Sequence, residues 1–330
     1  MPTDRAHGLL PGFALLGLFA LGATVVAPVV PGFNALLIAV GMGAVISNTM
    51  GVPSWAESGI GRHKLILEVG IVLLGARLTL AQLVDAGPTI IALATVVVFC
   101  GIVLIEAFSH VADLGKRTGS LLAAGSSVCG VSAVVAVAGG IDADESDIAY
   151  AVATVLLFDA VTLVAFPLVG ETLQLSSQVF GVWAGLSMFS TGPVTAAGFA
   201  HSTTAGEWAT VTKLVRNSLI GVVVVGYSLY YTRSSTSKVS IATVWRQFPK
   251  FIIGFVAVAV LVNLAGAPAD TIGMLDSLSE WLFTLAFVGL GFEMQLDEFR
   301  NAGLTPVLVV LAYLVVMSIV SLVAVSALLS

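Results

Sequence analysis

The sequence predicts an all-α polytopic membrane protein of about eleven transmembrane helices, built on inverted repeats with discontinuous helices. Three observations predict it. Of 330 residues, 58% are hydrophobic and only 10% are charged, against about 25% charge in an ordinary soluble domain. Apolar runs of bilayer length recur along the whole chain. Two short motifs also recur far apart, in an order that makes the segments carrying them antiparallel. The composition, with a mean hydropathy of +1.06, excludes a water-soluble globule, a nucleic-acid binder with a basic face and a disordered tail. The net charge of -6 says little, because most of the surface faces lipid and only the distribution of charge among loops is informative. Cys100 and Cys129 both lie in apolar stretches, so neither a disulfide framework nor a cysteine metal cluster is expected.

A helix spans the hydrocarbon with about 20 residues. Runs of that length, cut by Gly, Pro and charge, cover residues 9–30, 33–50, 65–84, 87–109, 118–139, 148–169, 177–199, 208–232, 248–266, 279–296 and 304–329. The first exceeds the roughly 7–15-residue core of a cleaved signal and reads as a span. No loop is long enough for a soluble domain. The longest, Arg233 to Lys250, carries Ser234, Ser235, Thr236 and Ser237 and reads as a polar linker. Residues 1–330 therefore read as one transmembrane domain, with repeat units at 33–110 and 248–329 flanking a central region at 118–232.

Lys and Arg are retained on the cytoplasmic side. With the N-terminus inside, Arg5, Arg62, Lys64, Lys116, Arg117, Arg233, Lys238, Arg246, Lys250 and Arg300 all fall inside. Arg77, Lys213 and Arg216 are the exceptions. The acidic run Asp142, Asp144, Glu145 and Asp147, and the group Asp270, Asp276 and Glu280, then fall outside. So does the C-terminus.

The repeat lies at an offset of about 215 residues. Asn48-Thr49-Met50-Gly51-Val52-Pro53 and Asn263-Leu264-Ala265-Gly266-Ala267-Pro268 both read N-x-x-G-x-P. Leu74-Gly75-Ala76-Arg77-Leu78-Thr79-Leu80 matches Leu290-Gly291-Phe292-Glu293-Met294-Gln295-Leu296. An odd number of crossings separates the units, so they are antiparallel. Such repeats supply the two near-equivalent conformations of alternating access. A weaker similarity links Ala124-Gly125-Ser126-Ser127, through Val134 and Ala136, to Ala184-Gly185-Leu186-Ser187, through Val194 and Ala196. Two full crossings there run parallel, which an inverted pair does not allow, so this similarity is either accidental or the mark of a re-entrant segment.

The cluster Gly125-Ser126-Ser127-Val128-Cys129-Gly130-Val131-Ser132 predicts a break in mid-membrane, because Gly weakens a helix and Ser competes for its backbone bonds. A broken helix exposes a half-helix N-terminus that favours an anion. Close packing through small residues is the bland alternative. Phe189-Ser190-Thr191-Gly192-Pro193-Val194-Thr195 is a second candidate break, where Pro193 removes a donor and frees a carbonyl; a simple kink is its alternative.

Ionisable groups inside a bilayer are costly and normally face a partner or cavity. Lys213, Arg216 and Asn217 share one helical face. Arg216 lies about 13 Å and Asp159 about 16 Å from the outer ends of their spans at 1.5 Å per residue. A structural reading pairs Asp159 with Arg216. A functional one makes Lys213 and Arg216 a basic anion site, with Asp159 as counter-ion or proton carrier. Surplus positive charge favours the anion. Arg77 and Glu293, opposite in charge at equivalent repeat positions, read as interface groups. His7, His63, His110 and His201 sit at span ends or in loops. No metal, cofactor or catalytic constellation is expected, and no phosphate-binding loop, zinc-protease motif or nucleophile elbow is present, so the chain does not read as an enzyme.

Ala124-Gly125-Ser126-Ser127-Val128-Cys129-Gly130 followed by Ala151-Val152-Ala153-Thr154-Val155 resembles the G-S-S-x-C-G and A-V-A-T-V elements of the YeiH-like bacterial and archaeal membrane proteins, a family described as sulfate exporters. The likeness extends to Asn48-Thr49, Leu74 to Thr79, Ala196-Ala197-Gly198, Lys213 with Arg216, and Asn263, and covers nearly the whole chain. It implies a secondary transporter exporting sulfate or related sulfur oxyanions. At the level of fold alone, a broken helix after such a helix end is also similar to the bile acid symporters and sodium/proton antiporters. Two departures stand out: Phe189-Ser190 replaces a His-Glu of the family pattern, and Asp159 replaces a small residue.

The expected function is alternating-access transport of a small oxyanion across the cytoplasmic membrane, bound by Ser126, Ser127, Cys129, Gly130, Ser132, Ser190, Thr191, Thr195, Lys213, Arg216 and Asn217, with Asp159 as coupling group or counter-ion. The expected partners are that anion, a proton or sodium as coupling ion, lipid and a second copy of the chain. The alternatives are a cation/proton antiporter using Asp159, or a carrier of an organic sulfonate or carboxylate.

Overall fold

The computed structural model describes residues 3–30, 34–231, 245–299 and 302–329. Arg233, Lys238 and most of the predicted linker that holds them, together with Arg300, lie outside these residues. The longer helices among the described residues are α1 (Thr3–Val26), α2 (Ala35–Thr49), α3 (His63–Leu74), α4 (Leu80–Val111), α5 (Lys116–Ala124), α6 (Val131–Ile141), α7 (Glu145–Thr172), α8 (Ser177–Ser187), α9 (Thr191–His201), α10 (Thr203–Ser218), α11 (Ile220–Tyr231), α12 (Phe251–Ala265), α13 (Ala269–Glu293) and α14 (Leu304–Leu329). Among the described residues, six stretches are long and apolar enough to cross a membrane: Leu9–Val29, Ala86–Val111, Glu145–Thr172, Thr203–Tyr231, Ala269–Glu293 and Leu304–Leu329. The chain is an all-α membrane protein. Its contacts divide it into two compact units, residues 1–85 with 250–296, and residues 86–249 with 297–330.

In the first unit the two repeated motifs meet reciprocally. α2 starts on Asn34, whose side chain accepts the Leu37 N–H at 3.0 Å, and ends near Asn48. The Asn48 amide donates to the Met294 carbonyl at 2.7 Å and its oxygen accepts the Leu296 N–H at 2.7 Å. Asn263, its equivalent, donates to the Leu78 carbonyl at 2.8 Å, and Leu78 is the equivalent of Met294. Each asparagine thus closes the helix end left by the other motif, where carbonyls otherwise lack partners. Backbone approach is reciprocal too. Gly291 lies against Val40 and Ala44, and Gly75 against Phe255 and Ala259, with no room for a Cβ at either glycine.

The interface charges form ion pairs of opposite polarity. Glu293 of α13 pairs with Lys64 of α3 at 2.8 Å and with His63 at 3.3 Å. Arg77, just beyond α3, pairs with Asp276 at 2.9 Å and Glu280 at 3.9 Å on α13. The Lys64 and Arg77 contacts lie at opposite ends of the antiparallel α3–α13 pair.

The second unit corrects the predicted topology. The spans predicted at 118–139 and 177–199 are not crossings; each is a re-entrant hairpin. In the first, α5 enters and α6 returns. Arg117 pairs with Asp144 at 3.7 Å, the Thr118 hydroxyl donates to Asp147, and Ser120 and Gly140 both lie beside α11, at Tyr231 and Ser228 respectively. In the second, α8 enters and α9 returns. Ser202 donates to Ser177 at 2.8 Å and the His201 ring stacks on Phe180 at 4.1 Å. A straight broken helix over either stretch would hold its ends about 35 Å apart at 1.5 Å per residue. The acidic run from Asp142 to Asp147 therefore shares a side with Lys116 and Arg117, not the opposite side.

The hairpins enter from opposite ends of α10–α11, the second beside Thr203 and the first beside Tyr231. α7 runs the whole distance between them. Asp147 touches the base of the first hairpin, Val155 its tip, Asp159 the tip of the second, and Phe166 stacks on Trp183 at 4.3 Å towards its base. Opposed hairpins are antiparallel, which removes the conflict raised by the similarity of Ala124–Ser127 to Ala184–Ser187.

Two outcomes are expected. In a Cys100- and Cys129-free background, single cysteines at Lys116 and Asp142 should label from one and the same side of the membrane, and cysteines at Ser177 and Ser202 from the other; labelling of Lys116 and Asp142 from opposite sides would contradict the first hairpin. Asn48→Ala and Asn263→Ala should each destabilise the protein by about 1–3 kcal/mol, the cost of orphaned backbone groups, read as comparable losses of thermal stability in detergent.

Candidate functional site

The tips of the two hairpins meet around α10. In the first tip, Gly125–Cys129 forms a π-helical turn, of the kind often found at functional sites. Gly130 then reverses the chain at φ +71, ψ -141 and caps α6. A Cβ on Gly130 would collide with the Ser190 hydroxyl, so both backbone conformation and space require glycine. The second tip turns through extended Met188 and Ser190. Pro193 lies in the first turn of α9, where its missing N–H removes no intrahelical bond. It starts a helix instead of kinking one, and the carbonyl predicted to be freed by it does not arise.

Sixty positions separate the two tips in sequence, and the same spacing relates their contacts. Arg216 Nη2 donates to the Ser126 carbonyl at 3.0 Å and Nη1 to that of Leu186 at 2.6 Å. Lys213 Nζ donates to Val128 at 2.7 Å and to Met188 at 3.3 Å. Arg216 Nε reaches Ser127 at 3.2 Å, and Nη1 also reaches Gly185 at 2.9 Å and Met188 at 2.8 Å. Both cations are fully buried. They close the C-terminal ends of the two entering segments, where carbonyls lack intrahelical donors and the dipole is negative.

The returning helices α6 and α9 point their N-terminal ends at the same centre. Asp159, 3% exposed, accepts the Ser190 N–H at 3.0 Å, a carboxylate at a positive helix end. Asn217 donates to Thr191 Oγ1 at 2.9 Å, while its Oδ1 and the Ser126 hydroxyl have no hydrogen-bond partner among the described residues. Tyr313 of α14 closes the first tip, its hydroxyl 3.4 Å from the Ser126 carbonyl and its ring 6.1 Å from Phe189.

The structure brings Ser126, Ser127, Cys129, Gly130, Ser190, Thr191, Lys213, Arg216, Asn217 and Asp159 together. Ser132, two residues past Gly130 in the first turn of α6, is exposed. Thr195 faces Thr210 at 3.2 Å, inside the α9–α10 packing. Sequence reasoning did not select Tyr313, or the carbonyls of Gly185, Leu186 and Met188. The carbonyls were within reach of it, since they fall at the positions equivalent to the first tip. Tyr313, in an unbroken apolar run, gave no signal.

A family model described as conserved hypothetical protein 698 matches residues 8–310. The chain belongs to this family. Relatives include a UPF0324 membrane protein of Nitratidesulfovibrio vulgaris, 31% identical over 312 residues, 89% of this chain and 86% of the relative. A UPF0324 membrane protein of Bacillus cereus is 30% identical over 91% of this chain and 89% of its own length. The UPF0324 inner membrane protein YeiH of Escherichia coli K12 is 29% identical over 92% and 89% respectively. These names give a location in the membrane and no substrate. The YeiH-like resemblance seen at Gly125–Gly130 thus holds over nearly the whole chain.

In this UPF0324 protein the tip geometry makes Gly130 the most sensitive position. Gly130→Ala should cost at least about 1–3 kcal/mol, from a strained backbone conformation plus the collision with Ser190, and lower the yield of monodisperse protein. Gly139→Ala, where a Cβ meets nothing within 4 Å, should be neutral in the same assay.

Proposed function

We propose that the chain is a secondary transporter that exports a small oxyanion, sulfate, sulfite or a related sulfur anion, across the cytoplasmic membrane by alternating access. The observation that carries this reading is the charge of the buried centre: Lys213 and Arg216 stand against Asp159, at the point where two helix N-termini converge. Two cations and one carboxylate leave a positive site, and converging N-terminal ends add to it. Because the donors of Arg216 and Lys213 are directed at carbonyls, they act on the anion through their field. Direct contact falls to first-turn N–H groups of α6 and α9 and to the accessible hydroxyls of Ser132, Ser190 and Thr191. Asp159 competes for the N-terminal end of α9, so protonating it favours anion binding there. That is a route to proton coupling.

The orientation follows from the cationic loops. The N-terminus is inside and the C-terminus outside, the first hairpin opens inward beside Lys116 and Arg117, and the second opens outward. Hairpins entering from opposite sides give each face of the membrane its own half of the site, which alternating access requires. The chemistry proposed for the site is binding and release.

The test is flux in proteoliposomes loaded with labelled sulfate or sulfite under an imposed pH gradient. Transport is expected, reduced at least about tenfold in a Ser132→Ala/Thr191→Ala variant by the loss of hydrogen bonds to a charged ligand. Asp159→Asn should flatten the pH dependence. Proton- or sodium-driven cation flux with no anion dependence would select an antiporter using Asp159 instead.

A further inference from the structure

Six carbonyls from two broken segments converge on one place inside the membrane: Ser126, Ser127 and Val128 from the first hairpin, Gly185, Leu186 and Met188 from the second. Unwound carbonyls and half-helix C-termini of this sort are what coordinate a coupling sodium ion in transporters with discontinuous helices. Here the ligand set is already taken. Lys213 Nζ bridges one carbonyl from each tip, and Arg216 bridges two from the first to three from the second, at 2.6–3.3 Å. No acceptor in the set is a carboxylate, and both side chains are fully buried.

We propose that Lys213 and Arg216 are resident cations, fixed by the chain in the carbonyl cage where a coupling sodium would otherwise bind, so that the hairpins close without sodium. This rests on the transporter reading for its consequence, a carrier independent of sodium. The occupancy itself follows from the geometry alone. A hydrated ion entering the cage would have to displace a covalently tethered ammonium or guanidinium, each of which carries the same charge and pays no association entropy. Lys213 is the simpler of the two to remove. Its ammonium is a compact point charge on two carbonyls, whereas the planar fork of Arg216 holds five. Removing Lys213 leaves Val128 and Met188 with open lone pairs in a site of low dielectric, the environment that draws in a small cation.

The experiment is thermal unfolding of the purified full chain in detergent, titrated with sodium chloride against choline chloride at constant ionic strength. Wild type should show no saturable gain in Tm specific to sodium. Lys213→Met should lose several degrees and regain part of the loss, saturably, on adding sodium or methylammonium but not choline. A saturable sodium-specific gain in wild type overturns the proposal, and so does a folded Lys213→Met variant as stable as wild type with no response to either cation. Should Lys213→Met not fold, the wild-type titration and direct sodium binding by ²³Na resonance decide, a flat response sustaining the proposal and a saturable one overturning it. The oxyanion reading fails separately, through the absence of any sulfate or sulfite effect on the same melting curve.

Discussion

Backbone carbonyls that stop in the middle of a membrane must be given donors, because no water is at hand to supply them. Two helical segments of this protein stop there, the π-helical turn after α5 and the end of α8, and both leave carbonyls pointing at α10. Arg216 and Lys213 supply the donors. Much of the second unit depends on that closure: the tips approach because they share the same two cations, α7 is held against the second tip through Asp159 and Ser190, and Tyr313 packs over the first. A guanidinium suits this role better than an ammonium alone, since its planar fork serves carbonyls lying in several directions.

The first unit solves the same problem by other means. The chain ends of α3 and α13 are closed by asparagines, each borrowed from the opposite motif, and the flanking charges are arranged so that a carboxylate at one end corresponds to a guanidinium at the other. Reversing the charge of both members preserves the attraction at each site. Equivalent geometry is thereby kept without equivalent sequence, which explains why Arg77 and Glu293 look contradictory when the motifs are aligned and consistent once their partners, Glu280 and Lys64, are seen.

Hydropathy made the class of fold legible, and the N-x-x-G-x-P and L-G-x-x-x-x-L motifs marked the helix ends that later prove to clasp one another. It did not reveal the hairpins. A run of 22 apolar residues has the length of a crossing whether it continues or doubles back, and length carries no direction. The signal that distinguished them was the likeness of Ala124–Ser127 to Ala184–Ser187, which parallel crossings do not accommodate and opposed hairpins do. At the site, the residue types in the tips were legible because Gly and Ser in mid-membrane are locally unfavourable to a helix. The use of Lys213 and Arg216 was not, since sequence counts their charges but does not say which acceptors their donors find. Pro193 shows the same limit. Its effect depends on whether it falls inside a helix or at its start, and only the position of the turn at Met188–Ser190 settles that.

The clasp between Asn48 and Met294 spans 246 residues of chain. At a synthesis rate of about 5–20 residues per second, the ribosome needs roughly 12–50 s to make that intervening length. During that interval α2 is in the membrane with its asparagine amide still without the carbonyl that completes it. The reciprocal clasp from Asn263 to Leu78 has to wait almost as long, since Leu78 is made early and its partner 185 residues later. Neither half of the first unit is therefore closed when it leaves the ribosome: the Asn263 clasp waits for α12, and the Asn48 clasp for the far end of α13.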